Sequence, residues 1–469
     1  MTYGKLLGAG LCAAALLGAS ARAQTPPAAN LTLAREILGE LIAINTVHDQ
    51  GTLPAAEAIQ KRMLAAGFAS TDVTVLTIPG HPTQGQVLVR LRAKAAKAKP
   101  VLWISHLDVV EAKREDWTVE PFALTEKDGW LYGRGVQDMK GEIAALLAGL
   151  IRAKREGFIP ARDMIFAFTS DEESGDANGV EWLLKAQRPL VDAALVINSD
   201  GGGGSLRGDQ RLSYGVQTSE KVYVTFQLEA TNKGGHSSIP EPDNAIYRLA
   251  KGLARIEGFK FPVVTTPTTR GYFATAAALE SGQATADMLA VSKQPTDLAA
   301  AERLSATPAR NARLRTTCVA TGLSGGHAEN ALPQRARAVI QCRMMPTDSE
   351  AEVRAKLVEV LADQRIAVSV ISPAAPARDS PYDAALMARF TKVVQGMWPS
   401  VPVAPHMDLG ATDSLYTRAV GMPSYAVGAI WGDIDDNRAH GRDERISTKA
   451  FSEAVEFDYR LIKSVAAAR

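Results

Sequence analysis

Five residues, His106, Asp138, Glu173, Asp200 and His440, are of types that bind divalent cations, and each stands where a binding site would be placed. His106-x-Asp108 follows the apolar run Val101 to Ser105, Asp171-Glu172-Glu173 follows Met164 to Thr169, and Asp200 follows Leu195 to Asn198. Asp138 closes Tyr132-Gly133-Arg134-Gly135-Val136-Gln137 and opens a helical segment; His440 lies in a Gly/Asp-rich loop before the last helix. Ligands collect beyond the carboxyl ends of strands in open α/β sheets. Imidazole and carboxylate donors without thiolate suit Zn, Co or Mn. Singly, each residue has an ordinary explanation. A histidine after a strand can be a hydrogen-bonded loop residue, Asp138 a helix N-cap, and the Asp171 and Asp200 stretches solvated turns. Five such coincidences are harder to accept than one shared site.

The site depends on the elements that carry it. Residues 31 to 67 show two helical patterns, with Leu31, Ile37, Leu38, Leu41 and Ile42 on one stripe and Ile59 to Met63 in the second. Strand-like runs follow at Val73 to Ile78, Gln86 to Leu91, Val101 to Ser105, Met164 to Thr169 and Ala194 to Asn198, with an Ala/Leu-rich helix at Lys140 to Lys154. Strands alternating with helices imply an α/β domain with a mostly parallel sheet. After Gly201-Gly202-Gly203-Gly204 the pattern changes. Lys221 to Glu229 alternates like a half-exposed antiparallel strand, and a helix is expected from Asn244 to Ile256. A low-complexity stretch runs on to about Arg313. Strands near Arg315 to Thr321 and Arg337 to Arg343, a helix from Ser349 to Leu361 and a strand at Ala367 to Ile371 complete a small α+β unit. Pro373, Pro376 and Pro381 mark an exit linker. Helix Tyr382 to Gly396 and a closing helix from about Ser447 return to the first unit. The expected organisation is a catalytic domain (24–215 and 379–469) split by an inserted lid or dimerisation domain (216–378).

Ile104-Ser105-His106-Leu107-Asp108-Val109-Val110, Gly133-Arg134-Gly135-Val136-Gln137-Asp138-Met139-Lys140-Gly141 and Ser170-Asp171-Glu172-Glu173-Ser174-Gly175 resemble successive signatures of one family. It is the zinc exopeptidase family of glutamate carboxypeptidase, aminoacylase and succinyl-diaminopimelate desuccinylase. The likeness continues in order through Asp200-Gly201, Gly235-His236-Ser237-Ser238, Asn330-Ala331-Leu332-Pro333 and Ala439-His440-Gly441. It implies two divalent metal ions, zinc first, with cobalt or manganese as alternatives. His106, Asp138 and Asp200 would hold one, Asp138, Glu173 and His440 the other, with Asp138 shared. Asp108 would orient His106 from behind, and Glu172 would be the general base. Adjacent Glu172 and Glu173 need not project alike, so one can ligate while its neighbour faces a water.

In dimeric relatives the histidine matching His236 reaches the partner subunit's site and helps bind the carbonyl oxygen. Asn330 and Arg343 resemble residues that bind the substrate carboxylate, and arginine has the fork geometry for it. Thr412-Asp413-Ser414 resembles another substrate-facing loop. The stretch from about Phe259 to Arg313 departs from the compact lid of the simplest relatives, which bears on the homodimer and on His236. The implied activity is cleavage of an amide bond beside a free carboxylate, in a peptide or in an N-acyl amino acid. A non-catalytic binding protein on the same fold would be expected to have lost ligands, and here the set is complete.

Composition fits a globular chain: 469 residues, net charge +1 and 6% aromatic residues, with no basic stripe or stacking surface for nucleic acid. Lys5, the run Leu6 to Leu17 and Ala21-Arg22-Ala23 read as an export signal over 1–23. The mature chain would begin near Gln24, followed by a flexible stretch from Thr25 to Asn30. It would be periplasmic or secreted and free of the membrane after cleavage. In an oxidising compartment Cys318 and Cys342 either bridge or remain two buried thiols. His48, His81, His327 and His406 read as surface or loop residues.

Overall fold

The computed structural model describes residues 25–375 and 378–467. The expected export signal and Pro376 lie outside them. The larger of the sheets is mixed, with parallel and antiparallel pairs. At its centre Val101–His106 pairs in parallel with Met164–Thr169 on one side and with Leu195–Asn198 on the other, which in turn pairs in parallel with Ser424–Ala426. Antiparallel pairs flank this centre: Val73–Ile78 with His81–Leu91, and Gly203–Arg207 with Gln210–Glu220.

The central strands read as unbroken apolar runs because both faces are covered. Val101, Trp103, Phe166 and Phe168 point into one core and Leu102, Ile104, Ile165 and Ala167 into the other. Helices Ala28–Ala43, Lys140–Arg155 and Thr448–Val465 cover the first face. Gly149 permits their close approach, since a Cβ there would stand 3.0 Å from the Tyr459 backbone nitrogen. Helix Ala28–Ala43 begins inside the stretch expected to be flexible, because Leu31, Ala34, Ile37 and Leu38 pack against the core.

A second sheet, entirely antiparallel, runs in the order Thr317–Gly325, Arg335–Met344, Val222–Thr231, Ile366–Ser372 within the stretch expected to form the inserted unit. Helices Ala245–Glu257 and Glu350–Leu361 cover one face around Phe226, Leu228, Leu249, Ile340 and Leu357. Asn244 and Ser349 cap these helices from their side chains, and Glu352 completes a capping box with Ser349. Cys318 and Cys342 are directly opposed on neighbouring strands and are joined in a disulfide.

The stretch expected to be low in complexity is instead ordered. It forms helices Pro267–Ala276, Gly282–Val291, Leu298–Leu304 and Pro308–Leu314 around a core of Phe273, Met288, Val291, Leu304 and Leu314. Alanine-rich segments conceal their helical period because alanine suits either face. This layer docks on the catalytic sheet, where Gly271 meets Pro405 of strand Val403–Asp408. Among the described residues no helix is long and apolar enough to cross a membrane.

Candidate metal centre

The five expected ligands converge although His106 and His440 stand 334 positions apart in the chain. Val101–His106 and Met164–Thr169 run side by side with His106 opposite Thr169, so the loops that leave them begin together. Ligand atoms of His106, Asp138 and Asp200 lie within 4.8 Å of one another, as do those of Asp138, Glu173 and His440. Asp138 divides its carboxylate between the groups. Its Oδ1 is 3.1 Å from His106 Nε2 and its Oδ2 is 3.2 Å from His440 Nε2, while His440 Nε2 also lies 2.9 Å from Glu173 Oε1.

Backbone anchoring fixes each donor. Asp200 sits in a turn whose N–H donates to Asn198 Oδ1, at 2.9 Å. The glycines that follow seat this turn against the neighbouring strand; at Gly202, φ is +65° and a Cβ would lie 2.5 Å from the Ala426 carbonyl oxygen. Asp138 is held by a buried carboxylate that the sequence reading passed over. Glu444 accepts the N–H groups of Gly135, Gln137 and Asp138 at 3.0, 2.7 and 3.0 Å, and the Arg134 guanidinium at 2.6 Å. Arg134 in turn donates to the Gly441 carbonyl at 3.0 Å, tying the His440 loop to the same cluster.

Asp108 is buried between two donors. His106 Nδ1 donates to the Asp108 backbone carbonyl at 3.1 Å, and the Asp108 carboxylate Oδ1 stands 3.7 Å away. Asp108 Oδ2 accepts the Glu173 N–H at 2.9 Å. Asp108 therefore links the His106 loop to the Glu172–Glu173 loop as well as standing behind the imidazole.

The electrostatics fit divalent cations. Burial pushes Glu172 well above the usual carboxylate range; Asp200, Asp413 and Glu173 add to this and His106 opposes it. Burial, then Asp138, does the same to Asp200. Hydrogen bonds to Asp138 and Glu173 raise His440 to about 10. A cluster of crowded, partly desolvated carboxylates offset by two imidazoles is a donor set that cations would relieve.

Other residues fall differently. Thr412, Asp413 and Ser414, read as facing substrate, are buried. Asp413 accepts a hydrogen bond from Asn178 at 2.6 Å, and burial raises its pKa to about 7. They brace the site from within. His48 and His406, read as ordinary loop histidines, pair with Asp171 at 2.6 Å and Asp408 at 2.9 Å.

His236 and Asn330 meet each other on a small two-stranded ladder, His236 opposite Ala331 and the Ser237 N–H donating to the Asn330 carbonyl at 3.1 Å. Neither is hydrogen-bonded to the acidic cluster. Arg343 stands opposite Tyr223, its guanidinium 4.8 Å from the ring centroid. Tyr223 lines a small cavity of about 190 Å³ with Lys221, Leu415 and Tyr416. A larger cavity of about 1010 Å³ opens from Asp138 and Asp200 past Trp130, Leu206, Ile430 and Trp431, with Ala309 and Arg313 of the inserted helices on its wall.

The family model described as Peptidase family M20/M25/M40 matches residues 102–464. The human N-fatty-acyl-amino acid synthase/hydrolase is 27% identical over 388 residues, covering 80% of this chain and 76% of its own. An M20 family metallo-carboxypeptidase from Sulfolobus solfataricus superimposes with a TM-score of 0.68 at 18% identity, over 92% of this chain and 99% of its own. A Bacillus subtilis M20 peptidase described as binding a dinuclear metal superimposes with a TM-score of 0.59 at 11% identity, over 94% and 99% of the two chains. Matched by that model over most of its length, and sharing the fold of the two solved structures over more than nine-tenths of it, the chain belongs to peptidase family M20/M25/M40.

Proposed function

We propose that this chain is a two-metal hydrolase that cleaves an amide bond next to a free carboxylate. The observation that carries the reading is Asp138, which offers one carboxylate oxygen to each of two donor groups. His106, Asp138 and Asp200 would hold one cation, and Asp138, Glu173 and His440 the other. Zinc is the first candidate, with cobalt and manganese as alternatives. Such ions supply Lewis acidity, lowering the pKa of water and polarising a carbonyl oxygen.

The chain supplies the rest. Glu172 lies in the donor cluster beside His106 and Glu173 but belongs to neither of the two groups that share Asp138. It would accept the proton of the attacking water and return it to the leaving amine. Asp108 keeps the His106 ring and the Glu173 backbone in register. Arg343 has no ion-pair partner among the described residues and supplies a fork for the substrate carboxylate. Asn330 and His236 complete the lid's contribution, His236 in the partner subunit's site if the chain is a homodimer.

Two substrate classes share this chemistry. An exopeptidase, either a carboxypeptidase or a dipeptidase, needs room for one or two side chains. An N-acyl amino acid amidohydrolase needs space for the acyl group. The cavity of about 1010 Å³ beside Asp138 and Asp200, walled by Trp130, Ile430 and Trp431, has room for a substrate of either class. We also retain export, to the periplasm or beyond, as part of the proposal. A panel of dipeptides and N-acyl amino acids of increasing chain length, run on chelator-stripped protein with Zn, Co or Mn restored, tests the reading. Metal-dependent turnover is expected, and the substrates hydrolysed fastest assign the class. Equal activity with and without chelator would overturn it.

A further inference from the structure

We propose that His48 is a positioning residue for the loop carrying Glu172 and Glu173, acting through Asp171; the proposal rests on the two-metal reading above. His48 Nδ1 donates to Asp171 Oδ1 at 2.6 Å, across 123 residues of sequence. Asp171 is fully buried and has φ of +62°, a left-handed conformation uncommon outside glycine, which asparagine and aspartate reach with the help of local side-chain hydrogen bonds. Such a conformation persists only where its surroundings over-determine it.

Three bonds do so here. Asp171 Oδ1 takes the His48 proton, Oδ2 takes the Ala177 N–H at 2.5 Å, and its carbonyl takes the Gly175 N–H at 3.0 Å. Asp171 directly precedes Glu172, so its backbone dihedrals set the direction in which the chain leaves strand Met164–Thr169. They decide where Glu172 and Glu173 point. The residue before Asp171 is fixed as well: Gln86 donates to Ser170 Oγ and accepts the Ser170 N–H, both at 2.7 Å.

His48 is itself braced. Gln84 donates to the His48 carbonyl at 3.1 Å, and the Gly51 N–H donates to the Val47 carbonyl at 3.0 Å. Two residues earlier, Thr46 donates to the Leu107 carbonyl at 2.7 Å and accepts the Val109 N–H at 3.2 Å. The segment Thr46 to His48 therefore clamps both catalytic loops, one at Leu107 and Val109 and the other at Asp171. The imidazole is 38% exposed, so its removal opens no core cavity. What its removal takes from the molecule is one directed N–H on a buried carboxylate.

The test uses His48→Ala and His48→Asn in the full chain loaded with zinc. The asparagine amide can place a donor where Nδ1 stands; alanine cannot. Steady-state turnover is read on whichever dipeptide or N-acyl amino acid the wild type hydrolyses fastest. For His48→Ala, kcat should fall about tenfold to a hundredfold, the scale of a small misplacement of catalytic groups. KM and bound zinc should stay within twofold of wild type. Amide hydrogen exchange at Gly175 and Ala177 should accelerate in the same variant. His48→Asn should recover most of kcat and the slow exchange. Unchanged exchange and kcat within twofold for His48→Ala would overturn the proposal, and so would equal impairment of the two variants. Glu172→Gln serves as the separate control. If it retained wild-type turnover, the assignment of Glu172 as general base would fail. If wild-type turnover survived chelator, the two-metal reading would fail. In either case hydrogen exchange would still decide whether His48 braces the loop.

Discussion

Glu444 accepts the backbone N–H of Asp138 at 3.0 Å, joining residues 306 positions apart in the chain. The contact fixes the shared ligand by its backbone and leaves both side-chain oxygens free to face the two imidazoles. A charged residue four positions after His440 thus positions a ligand from the first half of the chain.

Glu444→Gln should loosen this anchor and leave the buried Arg134 without its counter-charge. Removing one partner of a buried pair costs about 3–5 kcal/mol, and losing support behind a ligand weakens metal binding about 10- to 100-fold. Denaturant unfolding and chelator competition measure the two effects. Wild-type metal affinity in a folded variant would refute the anchoring role.

Glu172→Gln should keep both metal ions and lose turnover by about 10²–10⁴-fold, the range assigned to a general base. Metal analysis and single-turnover kinetics on the same preparation check it. Near-wild-type turnover with full metal content would remove Glu172 from that role.

Arg343→Ala should raise KM about 10- to 100-fold, because a charge-assisted pair with the substrate carboxylate is lost. The penalty should shrink towards unity for a substrate whose carboxylate is amidated. An equal penalty for both substrates would assign Arg343 to the lid's structure.

Lys221 carries a pH dependence of stability. Burial lowers its pKa to about 7, with Asp348 opposing and Arg343 adding, while its ammonium donates to the Ala312 and Arg315 carbonyls at 2.9 and 2.5 Å. The unfolded chain binds this proton up to about pH 10.4. Between about pH 7 and 10.4 the unfolded state holds more protons, so this group's contribution is fully present above that range. It falls away as pH drops towards 7. Unfolding of the wild type and of Lys221→Met, followed in urea from pH 6 to pH 10, should show a shallower rise with pH in the variant. Parallel curves would contradict the shift.

Replacing Cys318 and Cys342 together by serine should destabilise the lid by about 2–4 kcal/mol, since the bond closes a loop of 24 residues. Thermal unfolding with and without reductant measures it. The wild type, but not the double variant, should respond to reductant.

The ligands themselves were legible because metal chemistry restricts residue types and because ligands follow apolar strands. His106, Asp138, Glu173, Asp200 and His440 were named from type and position, and the structure brings all five together. The strand at Lys221 to Glu229 was legible from its alternation of apolar and polar residues. The helices between Pro267 and Leu314 were not, as alanine and threonine carry little periodic contrast. Glu444 and His48 were missed for another reason. Each acts on a residue more than a hundred positions away, and nothing local distinguishes a carboxylate that will accept three backbone N–H groups from one in solvent.

By itself the sequence determined which residues could hold metal, the family resemblance and the alternation of strands and helices, all of which depend on side-chain type and short-range period. Only the tertiary structure decided how Asp138 divides its oxygens, that the loop at Thr412 to Ser414 faces inward and that Asp171 is tied to His48. These are matters of ångströms set by strand register and buried hydrogen bonds, which arise when distant segments pack together.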